Sequence, residues 1–178
     1  MENTAKQLVI SAIGTDRPGI VNELSQLIVS HKGNIDDSRM TVLGGEFAII
    51  LLISAAAEDR DRIEQVLQQQ APTLNLSIIS KQSSNTSATD NGKTPYRVEV
   101  LSMDNPGIVY KLTNFFSSHD INIQNLQTNR YPAPHTGTPM FAIEMVINIP
   151  QIVNINTLRE EFLLLCDDMN LDATLEAK

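Results

Sequence analysis

The residues of this chain whose types and spacing suit ligand chemistry begin in the stretch GTDRPGIVNELSQLIVSHKGNI, residues 14–35. Asp16 precedes Pro18 by two positions. A carboxylate there can cap a helix and a proline φ suits the first helical turn, so the stretch predicts a helix beginning near Pro18. Backbone N–H groups at such a terminus are unpaired and lie at the positive end of the helix dipole, which suits a carboxylate or a phosphate. Gly19 has no Cβ, so a ligand can approach the backbone closely there. Asn34, at the start of the next strand, offers both an amide donor and an acceptor, a match for the ammonium and carboxylate of a free amino acid.

Singly, Asp, Pro and Gly are ordinary turn residues. Their recurrence is what points to a site. The stretch SMDNPGIVYKLTNFFSSHDINI, residues 102–123, repeats the pattern, and ten of the twenty positions from Asp16 to Ile35 recur 88 residues later. Unrelated stretches would share about one or two. Asp104, Pro106, Gly107 and Asn122 thus stand where Asp16, Pro18, Gly19 and Asn34 stand in the first copy.

Other polar groups carry less. His31 and His119 fall at equivalent helix ends, in line with an apolar stripe, and read as partly buried histidines bonded to backbone. Asp36-Asp37 reads as an exposed acidic strand end, with Arg39 as a surface partner or a partner contact. The lone Cys166, inside FLLLCDDM, reads as a buried inert thiol, and one cysteine makes neither an intramolecular disulfide nor a cysteine-based zinc site. The sequence holds no Walker loop, no Gly-x-Gly-x-x-Gly turn and no recognisable nucleophile with a base. Asp16 and Asp104 read as caps rather than general acids. No catalytic residue, metal site or cofactor is expected.

The elements that position these residues follow from periodicity. Segment 8–13 reads as a strand. Ile20, Val21, Leu24, Leu27, Ile28 and His31 then form one helical stripe, which Gly33 is expected to stop. Strands at 35–43 and 46–54 flank LGGE, a glycine turn suited to a hairpin. A polar helix over Asp59–Gln70 and a strand over Leu74–Ser80 complete a βαββαβ unit. Residues 81–93, KQSSNTSATDNGK, contain no large apolar side chain and read as a linker between domains at 1–80 and 94–178. The second copy predicts a strand at 96–103, a helix at 106–119 and strands at 121–130 and 140–149. A helix carrying Leu158, Phe162, Leu165 and Met169 and a strand at 171–176 follow. The expected fold is α+β: two tandem ferredoxin-like units, each an antiparallel sheet with its helices on one face. MFAIEMVINI alternates, so one face of it is wet. FAIILLI is apolar throughout and is expected to be covered on both faces.

Composition narrows function further. The net charge is −8 and Lys and Arg form no stripe, which argues against a nucleic-acid surface. RNA readers of this fold need stacking aromatics on the central strands, and LVISAI with FAIILLI supplies only Phe47. The polar start MENTAKQ and the shortness of the run FAIILLISAAA predict a soluble cytoplasmic protein.

Asp-x-Pro-Gly-Ile-Val between a first strand and a first helix, with Asn-Ile at the second strand, resembles the ACT domain, a regulatory fold that binds amino acids. The resemblance spans both halves outside the linker. LVISAIGTDRPGIVNELS with GNIDDSRMTVLGGEFAIILLIS is similar, more narrowly, to the tandem ACT repressors of the bacterial glycine cleavage system. That resemblance implies a non-catalytic regulator that senses a small amino acid, glycine, and represses transcription by binding a LysR-type activator rather than DNA. The alternative is a regulatory ACT protein that modulates a metabolic enzyme. By the same resemblance the ligand positions are Asp16, Pro18, Gly19, Ile20 and Asn34, and Asp104, Pro106, Gly107, Ile108 and Asn122. The second half departs from the pattern, with NIQNLQTNRYPAPHTGTP in place of the Asp-Ser-Arg run. The apolar third strand, Phe47 to Ile53, should not leave a whole face in water, so the two units are expected to pack into one body, with homodimerisation through sheets or edges as a further option.

Overall fold

A computed structural model of the chain describes residues 7–83 and 92–178. The chain divides into two compact units, Met1–Ser87 and Ala88–Lys178. The first contains β1 (Gln7–Thr15), α1 (Ile20–Ser30), β2 (Asn34–Leu43), β3 (Glu46–Ser54), α2 (Ala57–Leu74) and β4 (Leu76–Ser83). The second contains β5 (Lys93–Met103), α3 (Ile108–Ser118), β6 (Asn122–Pro132), β7 (Pro139–Pro150), α4 (Ile155–Asp168) and β8 (Asp172–Ala177). Each sheet is antiparallel, in the order β2-β3-β1-β4 and β6-β7-β5-β8. This is the ferredoxin-like βαββαβ arrangement, twice.

Alternation builds the core. In the first unit Leu8, Ile10 and Ala12 of β1 and Phe47, Ile49, Leu51 and Ile53 of β3 are at most 5% exposed. Ile20, Leu24 and Ile28 of α1 and Ile63, Leu67 and Ala71 of α2 cover them. The second core replaces part of this aliphatic packing with rings. Phe116 and Phe162 lie 5.3 Å apart, and Phe115 packs on both. Each such side chain contributes about 1.5–3 kcal/mol by leaving water.

The opposite sheet faces differ. Register places Ser11 of β1 beside Ile50 of β3 and Ile79 of β4, and Ile13, Ile50 and Ile79 are 52%, 45% and 72% exposed. The expectation that FAIILLI is covered on both sides is therefore not met within its own unit: among the described residues of that unit only its helix side is buried. The matching face of the second sheet carries Arg97, Glu99 and Glu144, with Arg97 3.3 Å and 3.7 Å from the two carboxylates, as the alternation of β7 predicts.

Several boundaries move. β4 runs to Ser83 and β5 starts at Lys93, so pairing enters both ends of the expected linker, whose residues 84–91 lie outside the described residues. α2 extends beyond both ends of the predicted helix, carrying Pro72 in its last turn. Gly44 and Gly45, with φ of +60° and +85°, form the expected hairpin turn. Gly33 does not stop α1 by its own conformation; Lys32 takes the left-handed φ of +60°. Gly33 is needed for close packing instead, because a Cβ there would lie 2.7 Å from Ile28 Cγ2 and Ile63 Cδ1.

Candidate ligand site

Both repeated turns enter their helices through a left-handed glycine. Gly19 has φ 93° and Gly107 φ 89°, a conformation that penalises any Cβ. Their carbonyls accept the first helical bonds, from Glu23 N–H at 2.9 Å and Lys111 N–H at 3.0 Å. α1 and α3 therefore begin at Ile20 and Ile108, two residues past the prolines near which the sequence predicts their start. Neither helix has a side-chain cap, which corrects the reading of Asp16 and Asp104 as caps: the glycine geometry puts the aspartate three residues before the N-cap, out of the capping position. The aspartates tie the turns to the hairpins instead, donating backbone N–H bonds to Gly45 O and Pro139 O, both at 3.0 Å. Helical geometry leaves the first N–H groups of α1 and α3 without intrahelical partners. α4 is different, since Asn154 Oδ1 accepts from the amides of Asn156 and Thr157.

The turns also differ from each other. Arg17 donates two bonds of 2.7 Å to the Glu23 carboxylate, which holds that carboxyl below its usual range and raises the guanidinium. Glu23 Oε1 lies 3.5 Å from where a Cβ on Gly19 would stand. An internal carboxylate thus already flanks the start of α1. In the second turn Asn105 and Lys111 occupy the corresponding positions, and nothing lies within 4 Å of the equivalent point on Gly107. Asp104 there pairs with Arg130 at 2.9 Å, where the matching residue of the first unit is Val42. No local pattern announces the Arg130 contact, because 26 positions separate the partners and only strand pairing brings them together.

Asn34 and Asn122 are not beside the glycines. Asn34 pairs with Ser54 at the end of the sheet where β1 begins, whereas Gly19 follows the end where β1 finishes. An eleven-residue helix, about 16 Å long, lies between. Asn122, paired with Asn148, is displaced in the same way. The expectation that Asn34 holds the far end of a ligand seated at Gly19 therefore fails within one unit. Asn34 Nδ2 instead donates to Asp36 Oδ1 at 2.8 Å. Asp36, at a bulge in β2, also accepts from Ser54 at 2.8 Å and Gln7 at 3.0 Å, and these bonds, Ser54's foremost, lower its pKa. Asn122 lines a shallow depression along α3 with Tyr110, Thr113, Asn114 and Ser117.

His31 and His119 place Nδ1 2.8 Å from the carbonyls of Leu27 and Phe115, the backbone-bonded arrangement expected of them, and His119 Nε2 adds Glu161 at 3.0 Å. Burial pushes the Cys166 thiol up to about 11, that of an unreactive group. Among the described residues no group of three or more acidic, histidine or cysteine side chains is placed to hold a metal ion, and no helix is long and apolar enough to cross a membrane.

Comparison with known proteins adds to this geometry. A family model of the ACT domain matches residues 6–80. The glycine cleavage system transcriptional repressor of Escherichia coli is 31% identical over 170 residues, which cover 94% of this chain and 88% of that protein. The UPF0237 protein MK1213 of Methanopyrus kandleri is 34% identical over 73 residues, 40% of this chain and 81% of its own length. A crystal structure of an unknown protein from Galdieria sulphuraria superposes with a TM-score of 0.81 at 29% identity, covering 97% of this chain and 98% of that one.

Proposed function

The chain belongs to the ACT-domain family, alongside the glycine cleavage system transcriptional repressor of Escherichia coli, and from that premise we propose that it is a regulator that senses a small amino acid, glycine, and represses transcription of glycine cleavage genes. In this reading it acts by binding a LysR-type activator rather than DNA. The observation that carries it is the similarity to that repressor across both units, not across one domain alone. The turn geometry supports a ligand of this class: uncapped N–H groups at α1 and α3 suit a carboxylate, and the backbone is open at Gly107, while at Gly19 the Arg17-bound carboxylate of Glu23 stands beside the approach. The ligand positions are Asp16, Pro18, Gly19 and Ile20 in the first turn and Asp104, Pro106, Gly107 and Ile108 in the second. Asn34 and Asn122 reach such a ligand only from outside the unit that carries the turn. The acidity of the chain supports action through a protein partner.

Thermal melting of the full chain with each of the twenty amino acids tests the reading. A ligand at a hundred times its dissociation constant stabilises by about 2.7 kcal/mol, and glycine is expected to do so. If none of the twenty raises the midpoint, the sensing reading fails. A sequence-selective gel shift with duplex DNA and no partner would contradict the proposed route of repression.

A further inference from the structure

The outer face of the first sheet is used by nothing in the reading above, and its side chains form a regular grid. In the central row, Ile79 of β4, Ser11 of β1, Ile50 of β3 and Arg39 of β2 stand side by side. The next row runs Lys81, Val9, Leu52, Asp37. The row on the other side runs Ser77, Ile13, Ala48, Thr41. The middle of the face is thus aliphatic, with small side chains at Ser11 and Ala48, and its charges stand on the two edge strands.

We infer that a second copy of this chain packs on this face, sheet on sheet, about a two-fold axis that runs parallel to the strands between β1 and β3. This inference is independent of the ligand reading. Such an axis lays β4 over the partner's β2 and β1 over the partner's β3 while keeping each row in place. In the first two rows Lys81 meets the partner's Asp37, which its own chain already pairs with Arg39, and Val9 meets the partner's Leu52. Ile50 comes down over the partner's Ser11, and Ile79 lies over the aliphatic stem of the partner's Arg39. Each occurs twice, as an isologous interface requires. Sheets packed this way lie about 10 Å apart and within about 30° of each other, offsets that a lysine side chain can span at the rim.

The area is sufficient. Four strands at about 4.8 Å and some eight residues at about 3.4 Å give on the order of 500 Å² per copy in plan. The pair buries about 1,000 Å², near the lower bound for a specific interface, so the dimer is reversible rather than obligate. The second sheet explains why the choice falls on the first. By register Glu99 replaces Ser11, Glu144 replaces Ile50 and Glu176 replaces Lys81, so two such faces would repel.

Sedimentation equilibrium of the full chain is the test. The wild type is expected to be dimeric at ~100 µM. Ile50→Glu, which writes the second sheet's own residue into the first, should weaken association at least about a hundredfold by burying an unpaired carboxylate in each copy. An unchanged far-UV spectrum shows that this variant is folded. Lys81→Glu should also weaken the dimer, and adding Asp37→Lys should recover part of the loss, because the two positions oppose each other only across this axis. A monomeric wild type, an Ile50→Glu variant that associates like the wild type, or a double variant with no recovery would each overturn the proposal.

Discussion

The two sheets of this chain meet solvent in different ways although their registers correspond row by row. In the first, Ser11, Ile50 and Ile79 form the central row, and in the second the same places hold Glu99, Glu144 and Thr174. The turns show the same division. Gly19 and Gly107 keep the same left-handed φ within a few degrees, while the residues around them change from an Arg17–Glu23 pair to an Asp104–Arg130 pair. What persists in both copies is what the backbone demands. What diverges is what a ligand, a partner or water touches, so a repeated fold here carries two unlike surfaces.

Swapping the residues that differ between the two cores should give the largest effect. Ile121, 4% exposed, stands at the repeat position that Gly33 holds in the first unit. Ile121→Ala should cost about 2–5 kcal/mol in urea unfolding by leaving a cavity. Gly33→Ala should cost about 1–3 kcal/mol for the opposite reason, since Ile28 and Ile63 must give way. If Gly33→Ala is neutral, the two cores are less different than their packing indicates.

A smaller effect tests the turns. Gly19→Ala and Gly107→Ala each force an alanine into the left-handed region and should cost about 1–2 kcal/mol. Because the two φ values agree, the two losses should agree, and a cost at only one of them would break the equivalence of the turns.

The smallest effect is a pH dependence confined to the first unit. Hydrogen bonds from Ser54, Asn34 and Gln7 lower the pKa of Asp36, whose place in the second unit is taken by Gln124. A depressed carboxyl pKa contributes stability that is full above the unfolded value, about 3.9, and is lost as pH falls through the folded value. Asp36→Asn should therefore be less stable than the wild type at neutral pH, with the difference closing below pH ~3.9. A difference that persists unchanged at pH ~2 would mean that the carboxylate's charge is not what matters.

Much of this was legible in the sequence, for physical reasons. The duplicated βαββαβ order, the hairpin at Gly44-Gly45 and the importance of Gly19 and Gly107 all follow from rules that act over a few residues. The aspartates were misread because an N-cap preference is satisfied by side chain or by glycine geometry, and a proline before a glycine does not reveal which. Contacts such as Asp104 with Arg130 depend on tertiary pairing and carry no local signal. The separation of Asn34 from Gly19, by contrast, was implicit in the strand-helix-strand order, since the strands flanking a helix put its two ends at opposite ends of the sheet.

The central claim is that the doubled turn binds a small amino acid, and an amide titration addresses it most directly. In a ¹⁵N-labelled full chain, glycine should saturably shift the backbone amides around Gly19 and Ile20 and those around Gly107 and Ile108. Amides in the middle of α2 and α4 should hold still. No saturable shift with glycine or any other amino acid, or shifts confined to residues away from both turns, would contradict the account.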